Sequence, residues 1–239
     1  MPGPLRAVLC DLDDTIFDHR RATRESLRQT VAGLPDFSHW SLDEIDARHR
    51  DLLEALHLDV LAGRMSVDEA RLERFRRLVE AAAPKQGAAR AQELARAYRQ
   101  AYEQSWHPVA GAMDLLVLIK AAHLAVVIVT NNIAQEQEVK LRRLGLDALV
   151  DELVTSEEVG WSKPAAEIFR AALSRARCAV DQAVMLGDAW HTDVEGARAI
   201  GLRAVWLNRT GAVSPDPTVP ELRSLEPARD ALAVILHSR

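Results

Sequence analysis

Four acidic side chains, one lysine and a Thr-Asn pair stand where apolar runs of this sequence stop. Asp11 and Asp13 follow RAVLC, Thr130 and Asn131 end LAVVIV, Asp188 closes AVMLG, and Asp193 comes shortly after it. Lys163 lies between the second and third of these runs. Several carboxylates gathered into a small volume repel one another severely unless a cation sits among them. No Cys or His accompanies them at ligand spacing, which argues against zinc. Hard oxygen ligands with few carboxylates suit Mg2+, an ion that keeps waters and bridges substrate phosphate. Lys163 adds a second positive charge, Thr130 a hydroxyl and Asn131 amide donors. A cation, a lysine and neutral donors together form a site for a dianionic phosphate.

The elements that must position these groups are legible as periodic runs. Residues 6–10, 124–129, 183–186 and 203–207 are short continuous apolar runs, the pattern of strands buried on both faces. Leu153-Val154 is a weaker candidate. Helical patterns over 110–122, 135–144, 165–176 and 193–200 separate them, with Gly145 and Gly201 as C-terminal stops and Pro164 expected in a first helical turn. A last helix is expected over 228–236, after a Pro-rich loop at 210–220. Alternating strands and helices predict an α/β fold, a Rossmann-like parallel sheet flanked by helices. Ligands bind such sheets outside the carboxyl ends of the strands, so the polar groups should converge on one edge.

Residues 18–105 break the alternation after one strand. They carry no strand-like run, and Ser41-Leu-Asp-Glu44 and Ser66-Val-Asp-Glu69 are capping boxes. The expectation is a small all-helical domain, 18–105, inserted into a core formed by 1–17 and 106–239. The bulk properties fit. The chain has 239 residues, long enough for a core domain and a small second one, and carries a formal net charge of −5 with the acids spread along it. That balance argues against nucleic acid as partner. No apolar run is long enough to cross a bilayer, and MPGPLRAVLCDLDD shows no signal-peptide pattern. Cys10 and Cys178 make no disulfide framework, so a cytoplasmic protein is expected.

In order and spacing these segments resemble the haloacid dehalogenase superfamily, in its phosphatase branch. Asp11-Leu12-Asp13-Asp14-Thr15 matches the family's Asp-x-Asp-x-Thr motif, Thr130 the Thr or Ser ending a strand, Lys163-Pro164 the lysine motif, and Gly187-Asp188 with Asp193 the acidic motif. The resemblance implies a Mg2+-dependent hydrolase of a small phosphorylated metabolite. It implies Asp11 as nucleophile and Asp13 as general acid/base. It implies metal ligation by Asp11, Asp188 and the Asp13 backbone carbonyl. Thr130 and the Asn131 backbone would bind phosphate oxygens, Lys163 would neutralise Asp11 and the phosphate, and Asp193 would hold a metal-bound water or Lys163. The helical insert resembles a cap that closes over the site and sets substrate choice.

Dehalogenation of a 2-haloacid, mutase-type isomerisation and a non-catalytic role are the competing readings. Dehalogenation normally lacks an acid at the Asp13 position, and a non-catalytic member would have lost catalytic residues. Phosphonate hydrolysis would need a cap lysine, and Lys85 is the only lysine there. Asp193 can also serve as a helix N-terminal acid. Asp14 has no assigned role, and Thr15 is taken as a turn residue. Asn132 stands where a glycine is common, and His19 as a hinge residue. Trp161 and Trp190 wall the site or pack beside it. The Arg-rich run 64–77 is expected as a solvated helix face, and Phe37, Trp40, Phe75, Tyr98 and Tyr102 as core of the helical insert.

Overall fold

Every residue of the first strand, β1 (Ala7–Cys10), is apolar and buried. A strand with no solvated face belongs inside a sheet covered on both sides. The computed structural model, which describes residues 4–237, places β1 at the centre of a six-stranded sheet. After β1 come four helices, α1 (His19–Thr30), α2 (Leu42–Leu61), α3 (Val67–Ala82) and α4 (Ala88–Gln104). The chain then alternates through α5 (Ala112–Ala121), β2 (Ala125–Thr130), α6 (Ala134–Arg143), β3 (Glu152–Thr155), α7 (Ser156–Val159), α8 (Ala166–Arg175) and β4 (Ala183–Gly187). It ends with α9 (Gly196–Ala199), β5 (Arg203–Leu207), β6 (Glu221–Leu222) and α10 (Ala228–His237).

The strand order is β3-β2-β1-β4-β5-β6 and every pairing is parallel. From β1 the chain builds outward to β3, then returns to β4 on the other side. The reversal lies between β1 and β4, and a crevice opens at the carboxyl ends of strands at such a point. Cys10 is paired with both Ile128 and Leu186, which levels the ends of the three central strands. Strand alternation then sorts the core: Ala7, Leu9, Val127, Val129 and Met185 pack with Ile168, Phe169, Ala172 and Leu173 of α8.

Three local expectations change. Pro164 is not in the first turn of α8: Ala165 is the N-cap and the helix begins at Ala166. The helix expected over 193–200 starts instead as one wide turn, Trp190–Glu195, followed by α9. The two-residue edge strand β6 has no apolar run to announce it.

The chain forms two compact units, one holding the described residues up to Asp18 and from His107 onward, the other His19–Trp106. Among its described residues the second unit is wholly helical. Ser41 and Ser66 both form full capping boxes with Glu44 and Glu69. Phe37, Ile45, Phe75, Leu78, Leu94, Tyr98 and Tyr102 are buried in this unit, while Trp40 is half-buried under Arg48, 4.3 Å from its ring centroid. Arg71, Arg76 and Arg77 pair with Asp68 and Glu73 along one helix surface, as a solvated face should, whereas Arg74 of the same run turns inward and is buried. Among the described residues no helix is long and apolar enough to cross a membrane.

Candidate active site

Asp11 is the first residue past β1, and its N–H still bonds Leu186 O at 2.9 Å. The chain then turns sharply. Ile16 and Phe17 N–H groups both return to Leu12 O, and Asp14 takes a left-handed conformation with φ 68°. Aspartate tolerates that region better than most residues because its short side chain can bond locally. The turn brings Thr15 back under β4, where its Oγ1 accepts the Asp188 N–H at 3.0 Å. Thr15 is thus a brace between two strand ends.

Lys163 is 4% exposed and lies between two carboxylates. Its Nζ is 2.6 Å from Asp11 Oδ1 and 2.7 Å from Asp193 Oδ1. Burial works against the lysine's charge, but Asp11 and Asp193 outweigh it and hold the ammonium above its ordinary range. Burial pushes the Asp11 carboxyl well up; Lys163 pulls it back, while Asp193 and Asp188 push it further. The other Asp193 oxygen accepts the Ala189 N–H at 3.0 Å. Gly187 makes this approach possible, since a Cβ there would overlap the Asp193 carboxylate. Gly196 does the same for the lysine loop: a Cβ would sit 2.9 Å from Pro164 and Phe169.

Asn131 uses its side chain otherwise than the sequence suggests. Nδ2 donates to Lys163 O at 2.8 Å and Oδ1 accepts the Lys163 N–H at 2.6 Å. The side-chain amide therefore holds the lysine loop, with one of its two N–H donors engaged there. Asn132 Oδ1 accepts the Ile133 N–H at 2.9 Å. Thr130 is 2% exposed at the end of β2, and its Oγ1 accepts from Gln137 Nε2 at 2.9 Å. The Asp13 carboxylate faces α6: Oδ1 is 2.6 Å from Lys140 Nζ and Oδ2 accepts from Gln137 Nε2 at 2.9 Å.

Gln137 and Lys140 are the residues the sequence did not single out. A signal existed. The buried positions of α6 are Gln137, Lys140 and Leu141, so the stripe that should be apolar carries an amide and an ammonium. Trp190 packs edge-on against Trp206 and donates to Glu195, whereas Trp161 is exposed. His19 belongs to the helical unit, where its Nδ1 lies 2.7 Å from Tyr102 Oη. Cys10 is fully buried and its thiol is pushed up to about 12, first by burial and then by Asp11, so it is no nucleophile.

Can these residues hold a divalent cation? One carboxylate oxygen from each of Asp11, Asp188 and Asp193 lies within 4.8 Å of the other two. All donors are hard oxygens, and the crowding that raises the Asp11 carboxyl is relieved by positive charge. The set fits Mg2+ and offers neither thiolate nor imidazole for zinc.

Comparison with known proteins identifies the family. A family model described as haloacid dehalogenase-like hydrolase matches residues 5–201. The ribulose-1,5-bisphosphate 5-phosphatase of Halopiger xanaduensis is 33% identical over 206 residues, covering 83% of this chain and 83% of its own. The magnesium-bound crystal structure of YfnB from Bacillus subtilis superposes with a TM-score of 0.73 at 26% identity, over 96% of this chain and 99% of that one. The 2-haloacid dehalogenase of Pseudomonas syringae superposes with a TM-score of 0.62 at 24% identity, over 96% and 98%, a likeness of fold alone.

Proposed function

Since the chain belongs to the haloacid dehalogenase-like hydrolases, we propose that it is a cytoplasmic, Mg2+-dependent phosphatase that hydrolyses a small-molecule phosphomonoester through an aspartyl-phosphate on Asp11. The observation that carries this reading is the buried Asp11–Lys163–Asp193 cluster, with Asp188 beside it and Thr130 at the neighbouring strand end.

The Asp11 carboxylate attacks phosphorus, a P–O bond forms, and the bond to the leaving oxygen breaks. Asp13 supplies the proton that the leaving alkoxide takes up. Asp13 then removes a proton from the water that attacks the acyl phosphate, which frees inorganic phosphate and restores Asp11. Lys163 keeps the Asp11 carboxylate oriented and offsets the charge of the phosphoryl group. Thr130 Oγ1 already accepts from Gln137, so its own proton is left to donate to a phosphate oxygen. Asp193 has both oxygens engaged, with Lys163 and Ala189, and acts by holding the lysine. Asp11, Asp188 and the Asp13 backbone carbonyl would hold the metal. Bound there, Mg2+ supplies electrostatic stabilisation of charge on the phosphoryl oxygens.

The substrate is of the nucleoside monophosphate, sugar phosphate or phosphoglycolate type. The name of the Halopiger relative puts sugar phosphates first in a screen. We assign substrate choice to the helical unit, His19–Trp106, inserted in the chain between Asp18 and His107. The test is phosphate release from a panel of such monoesters with added Mg2+. Release should vanish with a chelator and with Asp11→Asn. Turnover that survives in Asp11→Asn, or that ignores the chelator, refutes the mechanism.

A further inference from the structure

We infer that Gln137 and Lys140 are positioning residues, which fix the Asp13 carboxylate and tie it to the phosphate-binding hydroxyl of Thr130. The inference rests on the proposed role of Asp13 and goes beyond it in naming what aims that side chain.

Gln137 and Lys140 sit three residues apart on α6 and therefore project from one face of the helix. Gln137 is fully buried and Lys140 is 3% exposed. A lysine buried to that degree needs a partner, and Asp13 Oδ1 at 2.6 Å supplies it. The ammonium also lies 4.9 Å from the centroid of the buried Phe17 ring, a further restraint on where it can go. Gln137 takes the second oxygen of Asp13, so the carboxylate is gripped at both ends and cannot rotate without breaking a charged or buried bond.

The glutamine amide has one workable orientation. Its Nε2 donates both to Asp13 Oδ2 and to Thr130 Oγ1, each at 2.9 Å, while Oε1 has no hydrogen-bond partner. Rotating the amide half a turn would set Oε1 against a carboxylate oxygen, acceptor against acceptor. The bare Oε1 is thus the cost of the two donations, and a buried carbonyl is left without a partner only where something else decides the geometry. One NH2 group spans the acid/base and the phosphate-contacting hydroxyl, so a shift of either is felt by the other.

The test separates aim from mere support. Lys140→Met and Gln137→Met keep the volume and the helix but remove the grip. For each, kcat/KM is measured on a sugar phosphate, whose alkoxide must be protonated as it leaves, and on p-nitrophenyl phosphate, whose phenolate leaves without help. The expected loss is about a hundredfold on the first and only a few-fold on the second. Lys140→Arg, which keeps a cation over Oδ1, should restore most of the sugar-phosphate rate. Asp13→Asn sets the scale. Equal losses on both substrates, or none on either, overturn the inference. Should Lys140→Met fail to fold, the Gln137→Met ratio decides alone. If Asp13→Asn keeps full activity while the wild type shows Mg2+-dependent release, the assignment of Asp13 falls and this inference with it. If Asp13→Asn is inactive and the substrate ratio is flat, only this inference falls.

Discussion

The two units bury polar groups in opposite ways. The unit with the sheet buries charges against one another: Asp11, Asp18, Lys140, Lys163 and Asp193 are all below a tenth exposed. The helical unit keeps nearly all its charges outside, in pairs such as Arg28–Glu25 and Arg76–Glu73, and among the described residues buries Arg74 alone. Its other deeply buried titratable side chain of note is His49, whose two ring nitrogens have no hydrogen-bond partner. Bringing paired charges out of water gains little net stability, since desolvation consumes most of the attraction. Charges kept inside in spite of that point to chemistry, and charges kept outside point to solubility and local helix support.

The sharpest way to break this contrast is to remove the lysine at the centre of the buried cluster. Lys163→Met leaves Asp11 and Asp193 facing one another with no cation between them, and loss of one partner from a buried pair costs about 3–5 kcal/mol. Phosphate release should fall by about a thousandfold, because the same ammonium offsets the phosphoryl charge. The matching change in the helical unit, Arg76→Met, should leave melting and turnover within measurement scatter, as exposed pairs do. A Lys163→Met protein as active and as stable as the parent would erase the distinction between the units.

Much of the buried cluster is legible in the sequence because its members stand at strand ends, where an apolar run stops abruptly at Asp11, Thr130 or Asp188. Parallel pairing does the rest by levelling those ends. The contacts that the sequence leaves hidden join residues far apart in the chain. Asp13 and Lys140 are 127 residues apart, and no local pattern joins them. Position on α6 would have raised the question only if the polar face had been seen to be the buried one. Asn131 adds a second case: the resemblance speaks only for its backbone N–H, and the path of the lysine loop shows that its side chain serves Lys163. The wide turn at Trp190–Glu195 had no composition cue, and Asp193 sits at its centre.

A divalent cation sharpens the contrast from the other side. Burial and the nearby carboxylates raise the Asp11 carboxyl above its ordinary 3.8 in the folded chain. The metal-free folded state thus binds that proton more tightly than the unfolded state, and its stability declines as pH rises from near 4 through the raised value. Added Mg2+ competes with the proton. Its stabilising effect, roughly 2.7 kcal/mol at a hundredfold excess over Kd, should therefore be larger at alkaline than at acidic pH. Thermal melts with and without Mg2+ across pH check this. The increment should disappear in Asp188→Asn, and an increment that shrinks as pH rises would mean that the ion binds elsewhere.

The smallest effect belongs to the helical unit and has the opposite sign. His49 is packed against Phe75 and Tyr98, with ring centroids 5.9 and 5.0 Å away, and burial first, then Arg74 and His19, hold its pKa well below the ordinary 6.5. The folded chain binds this proton more weakly than the unfolded chain. Stability is therefore undiminished above 6.5 and declines as pH falls through that value, by about 1.4 kcal/mol per pH unit until the folded ring also takes the proton. His49→Leu removes both the proton site and two buried nitrogens without partners. At about pH 7.5 it should be neutral or stabilising by about 1 kcal/mol, since an unpaired buried polar group costs roughly that much. Near pH 5.5 its advantage over the parent should grow by about one unit's worth of that slope. Urea denaturation at the two pH values, followed by far-ultraviolet circular dichroism, measures both numbers. Parallel pH dependence in parent and variant would show that the ring exchanges its proton with solvent in the folded state, and the helical unit would then bury no titrating group that opposes acid.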